Sequence, residues 1–145
     1  GTLEGGDVMR VDRTLYVGLS RRTNREGVEQ LRAMVAVLEY RVIAVPVTGC
    51  LHLKSAVCSL GDGKLLANRG WIEGAALADF EIIDVAEERG ANVLRIGGTV
   101  LIPAAFPKTA ARLQTRGYRT REIDTSELLK AEAGVTCMSL LFEDR

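Results

Sequence analysis

Asp7 to Val47, "DVMRVDRTLYVGLSRRTNREGVEQLRAMVAVLEYRVIAVPV", is the stretch whose reading decides the fold. "DVMRV" and "TLYVGL" read as two short strands joined at Asp12-Arg13, a turn-favouring pair. Asn24 is a natural cap for the helix that follows. Within that helix Val28, Leu31, Met34, Val35 and Leu38 recur at three- and four-residue intervals, which predicts one buried face. "RVIAVPV" from Arg41 then reads as a buried strand. The order is strand, strand, helix, strand.

Outward from this stretch the same order returns twice. "SAVCSL", a Gly61-Asp62-Gly63 turn, "KLLAN", a short helix from Trp71 to Asp79 and "FEIIDV" form a second unit. "NVLRI", "VLIP", a helix from Pro107 to Arg116 and "YRTREI" form a third. Tyr40-Arg41 and Tyr118-Arg119 each open their unit's final strand, and the intervals leading to them differ by about two helical turns, so register survives a change of helix length. Such self-similarity marks a repeat architecture. The expected units span 7–47, 52–85 and 92–124 of a single partial domain. A closing segment, 125–145, carries a helix from Ser126 and an apolar strand from Met138 to Phe142.

Composition bounds the function. Lys plus Arg and Asp plus Glu number 19 each, so no global field draws in nucleic acid or anionic lipid. Apolar runs stop well short of the roughly 18 residues a membrane span needs. The opening "GTLEGGDV" has neither the basic nor the apolar region of a signal peptide. Three cysteines without a framework spacing favour a reducing compartment, so a cytoplasmic protein is expected.

Few side chains are equipped for covalent chemistry. Cys137 stands directly before the expected final strand, where an adjacent base would activate a thiolate. His52, the only histidine, follows a strand and the Thr48-Gly49 turn, and its ordinary pKa lies near neutrality. Glu4, next to Gly5 and Gly6, is able to orient such an imidazole as the third member of a triad does. Asp7 reads as a turn residue ordering these glycines. A second reading groups Cys50, His52, Cys58 and Cys137 as a Cys₃His zinc module.

Four separated motifs, "LEGGDV", "GLSRRTN", "PVTGCLHLKSAV" and "GVTCMSLLF", in this order, resemble the dimethylarginine dimethylaminohydrolases of the amidinotransferase, or pentein, superfamily. The resemblance implies an α/β propeller of strand-strand-helix-strand modules, about three of its five present here. It implies Cys137 as nucleophile, His52 as general acid and base, and Glu4 as the carboxylate paired with that histidine. It implies Arg22 as the grip on a substrate α-carboxylate and the backbone carbonyl of Ala131 near the substrate amine. Cys50 and Cys58 match no nucleophile and read as packing residues. Arginine deiminases carry an aspartate two residues after this histidine, where this chain has Lys54, which turns the expectation toward methylated arginine.

The implied reaction is hydrolysis of Nω-methylarginine to citrulline and a methylamine through a cysteine thiouronium, without cofactor or metal. In the family the carboxylates that bind the guanidinium precede "LEGGDV". The expected partners are therefore the small-molecule substrate and either missing N-terminal modules or a second copy of the chain. An inactive half-propeller that binds methylarginine or a protein without turnover is the alternative.

Overall fold

The computed structural model of the protein describes residues 1–142. Its backbone forms three three-stranded sheets with one connectivity: an antiparallel hairpin, then a third strand parallel to the second. In the first sheet β1 (Val8–Val11) pairs with β2 (Thr14–Leu19). The helix α1 (Arg25–Ala36) then crosses to β3 (Arg41–Pro46), in register from Thr14 opposite Arg41 to Leu19 opposite Pro46. The Asn24 side chain accepts the Gly27 amide at 2.9 Å and the Thr2 amide at 3.1 Å, so one residue caps α1 and fastens the N-terminal segment to it.

A one-turn helix, α2 (Leu53–Ala56), leads into β4 (Val57–Gly61), which pairs with β5 (Lys64–Ala67), itself parallel to β6 (Glu81–Asp84). Ser55 and Ala56, expected in the strand, are the end of that helical turn. The third sheet joins β7 (Leu94–Ile96), β8 (Thr99–Pro103) and, after α3 (Pro107–Thr115), β9 (Arg119–Ile123). The short α4 spans Ser126–Lys130.

The core explains the stacking. Leu65, Ala67 and Ile82 of the middle sheet face Met9, Tyr16 and Val45 of the first. Leu66 and Ile83 turn the other way, onto Val100 and Ile102 of the third sheet and Ala110 and Leu113 of α3. The middle sheet is thus covered on both faces, which is why "KLLA" and "EIID" show continuous rather than alternating apolar character. Val28 of α1 closes the outer face of the first sheet against Val17 and Val42.

Three further expectations need correction. No α-helix spans Trp71–Asp79; two short 3₁₀ turns, Arg69–Trp71 and Gly74–Leu77, replace it. The reason is competition for backbone groups. Ile72 bridges Val47, Thr48 N–H donates to Trp71 O at 2.8 Å and Glu73 N–H to Pro46 O at 3.2 Å, so these peptides extend the edge of β3.

The face of α1 is narrower than expected: Met34 and Leu38 are exposed. At about 100° per residue Met34 points roughly 120° away from Val28, and the helix has ended before Leu38. Finally, Met138–Phe142 form no strand. An extended segment becomes a strand only where an edge pairs with it, and among the described residues none does; Met138, Leu140, Leu141 and Phe142 are exposed. The rest of the closing segment, 143–145, lies outside the described residues.

Candidate active site

The N-terminal residues converge on the loop after β3. Gly5–Asp7 make a single 3₁₀ turn capped by Glu4, with Asp7 N–H donating to Glu4 O at 3.0 Å. This turn presents the Glu4 carboxylate to His52: Glu4 Oε2 and His52 Nε2 lie 2.5 Å apart. Because an ionised carboxylate only accepts, Nε2 carries the proton and Nδ1 is left as the nitrogen able to exchange one. The ring is 15% exposed, enough to meet a ligand from one side. The other Glu4 oxygen, Oε1, faces Arg22 Nη1 at 3.5 Å, so a cation stands beside the pair.

Gly6 fits beneath the ring. A methyl group there would come within 2.6 Å of His52 Cγ, closer than any side chain tolerates. Asp7, expected to be a turn residue, does more. It is fully buried, and its Oδ2 accepts Ser20 Oγ at 2.8 Å and Thr23 Oγ1 at 2.7 Å, while Oδ1 accepts the Leu53 amide at 2.9 Å. Thr23 Oγ1 accepts the Glu4 amide in turn. One buried carboxylate therefore holds the backbone on both sides of the pair, through Thr23 toward Glu4 and through Leu53 next to His52. The His52 carbonyl also accepts Cys50 Sγ at 3.3 Å and the Ser55 amide at 3.0 Å.

Cys137 lies exposed in the turn after α4, its amide donating to Gly134 O at 3.1 Å. Among the described residues no hydrogen bond joins its sulfur to His52. Ala131 is exposed at the C-terminal end of α4, and among the described residues no hydrogen bond joins it to Glu4, His52 or Arg22. The structure thus brings Glu4, His52 and Arg22 together directly and leaves Cys137 and Ala131 on a neighbouring segment. Burial pushes the Cys50 thiol up to about 11 despite the hydrogen bond to His52 O, and pushes the buried Cys58 thiol up to about 11 as well. Neither is a ready thiolate near neutrality. The zinc grouping is not assembled: His52 turns toward Glu4, and among the described residues no three His, Cys, Asp or Glu side chains converge as a metal requires.

A family model described as N,N dimethylarginine dimethylhydrolase, eukaryotic, matches residues 1–138. The chain belongs to this family. A curated relative, the N(G),N(G)-dimethylarginine dimethylaminohydrolase of Streptomyces coelicolor, is 44% identical over 141 residues, 97% of this chain and 54% of the relative. Among solved structures, the Pseudomonas aeruginosa dimethylarginine dimethylaminohydrolase, a cysteine-to-serine mutant complexed with citrulline, superposes with a TM-score of 0.90 at 36% identity over 98% of this chain and 56% of that one. An amidinotransferase of Microseira wollei from saxitoxin biosynthesis shares the fold alone, with a TM-score of 0.86 at 20% identity over 97% of this chain and 47% of that one. The chain spans about half the length of the curated relatives it matches.

Within this dimethylarginine dimethylhydrolase-family chain, one polar residue near the site carries no motif in the sequence. Asn92, expected to open the strand "NVLRI", instead lies before β7, and its buried side chain reaches both the α2 backbone and the turn before Cys137. Only its position between two apolar, buried neighbours, Ala91 and Val93, sets it apart.

Proposed function

We propose that this protein hydrolyses Nω-methylated arginine to citrulline and a methylamine through a covalent intermediate on Cys137. The observation that carries the reading is the Glu4–His52 pair, two residues 48 apart held at 2.5 Å with one imidazole nitrogen committed to the carboxylate and, among the described residues, no hydrogen bond to the other. The family membership and the citrulline bound by the Pseudomonas enzyme support the choice of substrate.

In this mechanism the Cys137 thiolate adds to the guanidinium carbon, forming the S–C bond. The tetrahedral adduct expels dimethylamine, which takes the proton from His52 Nδ1 as the C–N bond breaks. A thiouronium is left on sulfur. Neutral Nδ1 then accepts a proton from water while the oxygen bonds to the same carbon; as the C–S bond breaks, the new hydroxyl gives its remaining proton to solvent, releasing citrulline and the thiolate. Such proton transfer is worth about 10²–10⁴-fold. Glu4 orients the ring, and Arg22, with its flat fork of donors, takes the substrate α-carboxylate. The Ala131 carbonyl accepts from the substrate amine. Lys54 denies the site a second guanidinium clamp and so leaves room for a methylated nitrogen.

The carboxylates that grip the guanidinium come, in this reading, from propeller modules outside these 145 residues or from a second copy of the chain. The intact mass of the native polypeptide distinguishes the sources: a mass well above 15.7 kDa places the missing modules on the same chain, whereas a matching mass leaves a second copy. Three free cysteines suit a reducing cytoplasm, and among the described residues no helix is long and apolar enough to cross a membrane. The deciding experiment is citrulline production from dimethylarginine by the intact protein. Cys137→Ser and His52→Gly should each abolish turnover; substantial activity in either rejects the assignment.

A further inference from the structure

The geometry points to Asn92 as a positioning residue that sets the separation between His52 and Cys137, an inference that rests on the reading of those two residues as a reacting pair. Its side chain is a clamp between two segments far apart in sequence. Nδ2 donates to Lys54 O at 2.8 Å and to Thr136 Oγ1 at 2.9 Å, and Oδ1 accepts the Thr136 amide at 3.2 Å. Lys54 lies two residues after His52, in the helical turn whose cap is His52 itself. Thr136 is the immediate neighbour of Cys137. The path from imidazole to sulfur therefore runs through one amide group.

The chemistry specifies asparagine. A carbonyl on one side requires a donor and an N–H on the other requires an acceptor, which fixes the amide's orientation. Aspartate offers no donor, and glutamine is one methylene too long. The fit is also tight: a Cβ on Gly134 would lie 2.3 Å from Asn92 Oδ1, so the turn carrying Cys137 approaches the clamp as only glycine permits. Val135, buried at 4% exposure, anchors the same turn. The clamp is embedded as well as bonded, since Asn92 is 9% exposed. Cys58 Sγ donates to the same Lys54 carbonyl at 3.5 Å, and both residues are unchanged in every variant below.

The test is a double-mutant cycle on the intact protein, with iodoacetamide alkylation of Cys137 at pH 7 read by peptide mass spectrometry. Buried Cys58 serves as the folding control, because it stays unlabelled while the core is closed. In the wild type His52→Gly should slow labelling of Cys137 about tenfold; in the Asn92→Ala background the same change should cost less than about twofold, a non-additivity expected of coupled groups. A merely structural asparagine would lower the melting temperature and leave the His52 effect intact. Equal His52 effects in the two backgrounds overturn the inference alone. No His52 effect in the wild type removes the pair, and the proposed chemistry and this inference fall together. Should Cys58 become labelled in Asn92→Ala, Thr136→Val replaces it; loss of one of the three bonds should still reduce the His52 effect, and an undiminished effect there also overturns the inference.

Discussion

Gly6→Ala should separate activity from stability. The added carbon would lie 2.6 Å from His52 Cγ and 2.7 Å from Nδ1, whereas unbonded carbons rest about 3.5–4.0 Å apart, so the ring has to withdraw by about 1 Å. From a starting separation of 2.5 Å, such a withdrawal takes Nε2 beyond hydrogen-bond range of Glu4 or swings Nδ1 away from the reacting centre. Misplacement of a reacting group by 1 Å costs about 10²-fold in rate. The backbone at Gly6 is not in the left-handed region, so alanine adds no strain of its own. Gly5→Ala is the matched control, because a Cβ there meets nothing within 4 Å. The assays are kcat for citrulline release and the ring N–H proton signal of His52, a single resonance since the chain has one histidine. Gly6→Ala should lose that slowly exchanging proton and about 100-fold in kcat; Gly5→Ala should keep both. A Gly6→Ala protein within threefold of the Gly5→Ala control would refute the idea that this glycine seats the imidazole.

Two further outcomes follow from buried and capping carboxylates. Asp7→Ala removes three bonds to a buried carboxylate, each worth about 1.5–3 kcal/mol, while Ser20 Oγ and Thr23 Oγ1 keep the backbone amides they accept, so the loss should be about 3–5 kcal/mol. Thermal unfolding should register it as a fall in Tm on the order of 10 °C, and a fall under 3 °C would contradict the role of Asp7 as the tie between β2, α2 and the N-terminal turn. Glu87 caps α3 from another loop, accepting the Lys108 and Thr109 amides at 2.7 Å each and Thr109 Oγ1 at 2.5 Å. Partial burial pushes its carboxyl upward, but the hydrogen bonds from Thr109 and Lys108 prevail and hold it below its ordinary 4.5. Its folded pKa is depressed, so its contribution is present above about pH 4.5 and is lost as pH falls through the lowered folded value. Glu87→Gln should flatten the acid limb of Tm against pH below pH 5, and an unchanged limb would show that the cap does not contribute.

What the sequence made legible, and what it hid, follows from the range of the forces involved. "TLYVGL" is a strand from Thr14 to Leu19, and Asn24 caps the helix that begins at Arg25, because a strand's apolar character and a cap's hydrogen bond are settled within a few residues. The Asp62-Gly63 turn is read as easily, both residues adopting positive φ as a tight hairpin asks. The expected Trp71–Asp79 helix does not form because its first peptides are claimed by the edge of β3, some 25 residues earlier, and local periodicity carries no record of a competing partner.

The site divides along the same line. Glu4, His52 and Arg22 are recognisable as residue types in motifs, whereas the wiring between them is not. Asp7 reads as a turn former and Asn92 as the first residue of a strand, since what makes each of them matter is a partner about 40 residues or more away. Hydrophobic spacing reports which face of an element is buried. It is silent on which polar group that burial must satisfy, and a buried polar group is stable only when its partners are in place. In this chain two such groups, one carboxylate and one amide, tie the N-terminal turn, the histidine loop and the cysteine turn to a common point on α2. A fold assembled from three similar sheets has many ways to misalign its loops by an ångström; two buried polar residues, each committed to three hydrogen bonds, remove most of them.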